Sequence, residues 1–311
     1  MPNYFTPSLT LFRVSQKRDF IGYGLAQPRV NWPHGSTLAL TLAVNYEAGG
    51  ERSILFGDAG PETFGEFPNY GALPKRDLAI ESIFEYETRA AIWRILGLLR
   101  RHRVRATFFA TAMTLKSNVD AAREIVRQGH EICSHGYRWL EQFTLTEEEE
   151  RQHIRKAVAT IKRITGERPV GWYCREPSER TLRLLVEHGG FLYNSDSYND
   201  DFPYYVTVKG KKLLQIPYTP DINDFHYLSN RFGNSEQFYR YLRDSFDVLY
   251  HESGGHPKLM NVGIHVRISG RPGRLVALDR FLKYAQRKPR VWIARRKDIA
   301  SWWIDNFRKS D

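Results

Sequence analysis

Short apolar runs recurring between longer stretches of helical spacing constrain this 311-residue chain more than any other feature. Thr37-Leu38-Ala39-Leu40-Thr41-Leu42-Ala43-Val44 reads as a strand buried on both faces, followed by the polar and glycine-rich stretch Asn45-Tyr46-Glu47-Ala48-Gly49-Gly50-Glu51. Residues 106–110, 130–135, 170–173, 192–195, 213–216, 260–265 and 290–294 read as further strands. Apolar side chains at helical spacing place helices over 81–104, 119–128, 146–164 and 237–250. The helix at 146 opens on a capping box, Thr146-Glu147-Glu148-Glu149, and closes at Thr165-Gly166. Strands alternating with helices imply a mostly parallel sheet, and at this number of strands a closed or partly closed (β/α) barrel is the natural solution. The chain shows no internal repeat and no linker, so a single domain is expected over 1–311, with an N-terminal extension over 1–35.

The formal charge is +11, but Lys and Arg are scattered through mixed-sign segments, which argues against a nucleic-acid or membrane surface. Arg94–Arg101 and Arg290–Lys297 read as solvated faces. Two cysteines, Cys133 and Cys174, do not make a disulfide framework and point to a reducing compartment. The N-terminus carries no basic stretch followed by an apolar core, and no apolar run reaches the roughly 18–20 residues that span a bilayer. The expected location is the cytoplasm and the expected partner a small molecule. Residues 51–75, punctuated by Gly57, Gly60, Pro61, Gly65, Pro68, Gly71 and Pro74, read as a long loop; Phe56, Phe64, Phe67 and Tyr70 suit a binding loop that packs.

In barrels of this kind the C-terminal ends of the strands carry the chemistry, and Asn45, Glu47, His135, Tyr173, Asp196 and His265 all fall at or just after such ends. A carboxylate at Glu47 can serve as a general base, with Gly49 and Gly50 letting backbone N–H groups approach a ligand; pairing of Glu47 or Glu51 with Arg52 is the structural alternative. His135 precedes Gly136 at one strand end and His265 sits alike at another. Each can be a proton donor or a histidine satisfied by the core. Arg267 and Arg274, downstream of His265, can grip carboxylate or ureido oxygens through their forks. Asp196 is a further candidate, and Asp221 and Asp224, in turn-rich segments, can be polar groups of the pocket. In Ser134-His135-Gly136-Tyr137-Arg138-Trp139 the imidazole is followed four residues later by an indole. A His-x-x-x-His pair would hold a metal. Indole offers only an N–H donor and no lone pair, so Trp139 cannot complete such a site.

With these segments in order, the chain resembles the polysaccharide deacetylase (NodB-homology) superfamily, and within it the allantoinase-like branch. Asn45-Tyr46-Glu47-x-Gly49-Gly50-Glu51, Ser134–Trp139, Gly189-Gly190-Phe191-Leu192-Tyr193, Ile216-Pro217-Tyr218-Thr219 and Gly270-Arg271-Pro272-Gly273-Arg274 carry the resemblance, which runs from Asp19 to Ala300. It implies an α/β fold, a deformed (β/α) barrel of NodB-homology type. In the superfamily's deacetylases an acidic residue and two histidines hold a divalent cation; here Glu47 takes the acidic place, His135 the first histidine and Trp139 the second. Asn45 stands where a base carboxylate would, leaving that role to Glu47. The branch is described as needing no metal, and the relatives imply a homo-oligomer, a tetramer. The third motif departs from the branch pattern: Gly171-Trp172-Tyr173-Cys174-Arg175-Glu176-Pro177 has its arginine displaced by one position and gains Glu176 and Pro177.

The expected activity is hydrolysis of a non-peptide carbon–nitrogen bond in a small cyclic ureide or imide, allantoin first, without a cofactor. Glu47 would activate water, His135 or His265 would protonate the leaving nitrogen, and amides near Gly49-Gly50 together with Arg267 would stabilise the oxyanion. Asn45, Trp139, Tyr173, Arg175, Glu176, Asp196 and Arg267 would bind substrate. The alternatives are a deacetylase dependent on zinc or another divalent metal, held by Glu47 and His135 with Asp196 as a further ligand, and a non-catalytic barrel that binds an acidic sugar or polymer.

Overall fold

Nine consecutive buried residues, Leu38–Tyr46, form β1, which pairs with three other strands. Burial is complete because β1 is flanked on both edges. Strand β8 lies along one edge from Leu38 to Asn45, and the other is shared by β9 beside Leu38–Thr41 and β2 beside Ala43–Tyr46. A strand covered on both faces reads as the unbroken apolar run seen in the sequence. The computed structural model describes residues 18–25, 27–67 and 74–307. Residues 1–17 of the extension, and Pro68, Tyr70 and Gly71 of the aromatic loop, lie outside the described residues.

After β1 and the loop come α1 (Leu78–Tyr86), a π-helical turn (Glu87–Ala91) and α2 (Ile92–His102), so the helix expected over 81–104 is interrupted. Then follow β2 (Thr107–Ala110), α3 (Ala112–Ser117), α4 (Val119–Arg127), β3 (Glu131–Ser134), α5 (Glu147–Thr165), β4 (Gly171–Trp172), α6 (Thr181–His188), β5 (Tyr193–Asn194), β6 (Tyr204–Val208) and β7 (Lys211–Gln215). The chain continues through α7 (Ser235–Glu252), β8 (Lys258–His265), a single turn α8 (Val266–Ser269), α9 (Pro272–Gln286), β9 (Val291–Ala294) and α10 (Arg296–Phe307). Strand order is β6-β7-β5-β4-β3-β2-β1-β8, with β9 on β1. Every pairing is parallel except the β6–β7 hairpin, an element not expected from the sequence. The sheet curls until the segment after β7 meets β8, where the Gly263 N–H donates to the Ile222 carbonyl at 2.9 Å. The result is the deformed α/β barrel expected, in one domain.

The described part of the extension packs on the barrel: Val30 and Trp32 are buried, and the Trp32 indole N–H donates to the Lys258 carbonyl at the start of β8. One expectation needs correcting: the stretch 290–297 is not a solvated face throughout, because Arg296 is fully buried inside the barrel. No helix among the described residues is long and apolar enough to cross a membrane.

Candidate active site

Strand register decides which residues share the barrel mouth. Asn45 pairs with His265, Ala110 with Ser134, and Ser134 with Trp172, so Glu47, His135, Tyr173 and His265 all emerge at the same rim. Glu47 is the hub and is almost fully buried. Its Oε1 lies 3.2 Å from His135 Nε2 and 3.9 Å from His265 Nε2, and its Oε2 accepts from Arg267 Nη1. Burial opposes ionisation of Glu47, but Arg267, His265 and His135 outweigh it and hold the carboxyl below the usual range. The structural alternative for Glu47 is not realised, since Arg52 pairs with Glu141 instead.

The two histidines are held differently. His135 Nδ1 lies 3.2 Å from the Tyr173 carbonyl, and its ring stacks on Tyr173 at 4.8 Å between centroids. Both of its ring nitrogens therefore face acceptors. The turn that presents His135 is fixed from below: the buried His153 Nε2 accepts the Tyr137 N–H at 2.7 Å, and burial lowers its pKa to about 3, keeping it the neutral acceptor that contact needs. Gly136, at φ 80°, leaves room for this, since a Cβ there would lie 2.5 Å from His153 Nε2. His265 Nδ1 sits 2.7 Å from Asp224 Oδ1, and Asp224 also accepts the His265 N–H and the Ser269 hydroxyl and N–H. With Nδ1 committed to Asp224, His265 presents Nε2 to the centre. The sequence offered Asp224 as a polar group of the pocket but not its partner, which stands 41 positions away, where no local signal reaches.

A second carboxylate lies beneath the first. Glu87, fully buried on the π-helical turn, accepts the Glu47 N–H at 2.6 Å and the Ala48 N–H at 3.3 Å through Oε1, while its Oε2 has no partner among the described residues. Burial is the main cause that pushes Glu87 up to about 8, with Arg267 acting against it and Glu47 with it. The buried Arg267 has an Nη2 without a partner among the described residues. The expected amide oxyanion hole at Gly49-Gly50 is not available: Gly49 N–H donates to Glu51 and Gly50 N–H to the Glu47 carbonyl. Arg267 Nη2 is the donor left for that role.

The other sequence candidates lie around this centre or apart from it. Trp139 is buried, with Arg175 at 3.9 Å and Arg267 at 5.2 Å from its ring centroid. Arg175 pairs with Glu62 and Glu141 rather than standing free, and Glu176 is exposed at φ 48°. Asn45 donates to the Tyr218 hydroxyl and the Ile264 carbonyl. Asp196 holds the Cys174 N–H and the Asn194 amide, and burial raises it to about 7.

These residues do not fit a divalent cation. Both Glu47 oxygens are engaged, one by a guanidinium whose charge would oppose a metal, and the indole of Trp139 has no lone pair to give. Among the described residues no three His, Cys, Asp or Glu side chains converge as a metal-binding group.

A family model described as polysaccharide deacetylase matches residues 73–185. A Schizosaccharomyces pombe protein carrying the polysaccharide deacetylase name is 38% identical over 296 residues, 88% of this chain and 92% of that protein. Among solved structures, one of the same name from Pseudomonas aeruginosa PAO1 superposes with a TM-score of 0.91 at 44% identity, covering 94% of this chain and 99% of that one. The Puue allantoinase superposes with a TM-score of 0.90 at 43% identity, covering 96% and 100%.

Proposed function

The chain belongs to the polysaccharide deacetylase family and is a hydrolase of carbon–nitrogen bonds, and on that premise we propose that it opens a small cyclic ureide or imide, allantoin being the first candidate. Two of its solved neighbours, one named for each activity, stand at 44% and 43% identity, so the choice of substrate rests on the site. The observation that carries the reading is the arrangement of Glu47 between His135 and Arg267, beside a His265 backed by Asp224.

In this reading Glu47 takes a proton from water as the oxygen attacks a ring carbonyl. The carbonyl carbon becomes tetrahedral, and Arg267 Nη2 receives the developing oxyanion, a task that a preorganised buried donor performs well. The C–N bond then breaks, and His265, protonated on Nε2 and steadied by Asp224, gives its proton to the leaving nitrogen. The proton held on Glu47 returns to His265 by way of one water between them, whose reach the 3.9 Å separation suits, restoring both groups. His135 orients the base rather than acting as the acid, since neither of its nitrogens is free. Tyr173 stacks on His135, and Phe64 packs against both Phe225 and Trp139, so aromatic rings surround the centre. The reading includes a cytoplasmic homotetramer that works without metal; the two free, buried thiols suit a reducing compartment.

The test is turnover by chelator-stripped protein offered allantoin, dihydropyrimidines, cyclic imides and N-acetyl sugars. Full activity on a ring ureide or imide is expected after stripping. Glu47→Gln is expected to lower kcat by about 10³-fold with an unchanged fold by circular dichroism. Loss of activity on stripping that zinc restores, or deacetylation of an N-acetyl sugar alone, would overturn the reading.

A further inference from the structure

The loop expected to bind substrate is tied to the barrel rim by carboxylate–arginine pairs. Asp58 pairs with Arg138, Glu62 with Arg175, and Glu66 with Arg274, while Arg52 reaches Glu141. One of these differs from the rest in burial. The Glu62 side chain is 1% exposed, with Oε2 2.8 Å from Arg175 Nη1, and its Oε1 accepts the N–H groups of Thr63 and Phe64, each at 3.0 Å. That carboxylate therefore fixes the turn on which Phe64 stands. The Phe64 ring stacks on Phe225 with centroids 4.5 Å apart and planes 2° from parallel, and meets Trp139 edge-on at 6.4 Å. Phe225 follows Asp224 and lies 6.3 Å from the His265 ring. Phe64 thus bridges Phe225, which abuts His265, and Trp139, which lies against Arg267.

We propose that Arg175 is a specificity-determining residue that acts through Glu62, holding Phe64 as the ceiling of the site and limiting the substrate to a ring with small substituents. The proposal rests on the hydrolase reading above and adds what sets the size of its substrate. Arg175 lies in the third-motif segment, stacked on Trp139 and bridging Glu62 and Glu141, so it is a brace and does not grip substrate. Without it Glu62 would be a buried charge with no counter-ion, held by two backbone N–H groups alone, which is costly enough to pull the carboxylate toward water. The Thr63 and Phe64 amides would follow, and the ceiling would lift. A polysaccharide, which needs an open groove, is excluded while the brace is in place.

The experiment compares hydantoin, allantoin and 5-benzylhydantoin on wild-type protein, Arg175→Gln, Glu62→Gln and Phe64→Ala. In Arg175→Gln and Phe64→Ala the kcat/KM ratio of 5-benzylhydantoin to hydantoin is expected to rise about tenfold or more, and in Arg175→Gln kcat on hydantoin is expected to stay within about threefold of wild type. A ratio unchanged in both variants overturns the proposal. Calorimetric binding of the same compounds reads the ratio whether or not they are hydrolysed, and failure of all three to bind any of the proteins also overturns it. Amide hydrogen exchange needs no substrate: residues 62–64 are expected to exchange about tenfold faster in Arg175→Gln while α5 is unchanged. Equal exchange at 62–64 sinks the brace even if wild-type turnover bears out the hydrolase reading. Lack of wild-type turnover on any ureide sinks that reading and leaves the brace to be judged by exchange and binding.

Discussion

Glu87 shows how far a single side chain can depart from what its sequence position suggests. Nothing in Phe84-Glu85-Tyr86-Glu87 separates it from Glu85, yet Glu85 is exposed while Glu87 sits beneath the base with one oxygen unpaired. In the unfolded chain its carboxyl titrates at about 4.3; in the folded protein burial lifts it to about 8. Between those values the folded state keeps a proton that the unfolded state has released, so stability falls as pH rises through the window and levels off above it. Glu51 and Asp196, each raised to about 7 by burial, act in the same direction. Glu47 is opposite in sign: its lowered pKa gives stability present above the ordinary carboxylate range and lost on acidification. Glu87→Gln keeps the acceptor for the Glu47 N–H and removes the titration. Its melting temperature is therefore expected to fall less than that of wild type between about pH 5 and about pH 9, and parallel curves from differential scanning calorimetry would refute the assignment.

At the scale of elements, α8 and the π-helical turn form one unit. Gly270 ends α8 against Ala91 at the end of the turn; a Cβ there would lie 2.4 Å from the Val266 carbonyl oxygen and 2.5 Å from the Ala91 Cβ. Close approach sets Arg267 at its depth beside Glu47. Gly270→Ala is expected to cost about 2 kcal/mol by overpacking and to reduce kcat by displacing Arg267. Gly273, in the first turn of α9, supplies the control, since a Cβ added there would meet no atom within 4 Å. Gly273→Ala is expected to be neutral or slightly stabilising. Urea titration with parallel kinetics checks both. Legibility differed among the elements for physical reasons. The capping box at Thr146 and Glu149 was readable because it is a contact between near neighbours. The break at Glu87–Ala91 was not, because the apolar spacing runs on across it. The β6–β7 hairpin turns on Lys209 and Gly210, both at positive φ, and its first strand lies in a segment whose many turn residues masked it.

At the scale of the whole molecule, Arg296 ties the barrel together from inside. Its side chain donates to Ser195 Oγ at 3.1 Å, to Asn261 Oδ1 at 2.5 Å and to the Pro217 carbonyl at 2.8 Å, linking β8, the end of β5 and the segment after β7 across the interior. These acceptors are neutral, so the guanidinium is solvated by the barrel itself. Arg296→Met would leave several buried acceptors without donors and is expected to lower stability by about 3 kcal/mol. A loss under about 1 kcal/mol in chemical denaturation would show that the barrel closes without it. Because the wall strands at the mouth share this anchor, turnover is expected to fall with stability and not independently of it.

The sequence by itself determined the alternation of strands and helices, the delivery of Glu47, His135 and His265 to strand ends, and the motifs that carry the family likeness. Each of these is written in a periodicity or a short segment, where neighbouring residues act on one another directly. Only the tertiary structure decided the partners: Arg267 for Glu47 across 220 positions, Asp224 behind His265, Glu87 beneath the base, and Glu62 instead of a ligand for Arg175. A charge takes as its partner whichever opposite or polar group strand register and burial bring within reach, and separation along the chain carries no record of that distance.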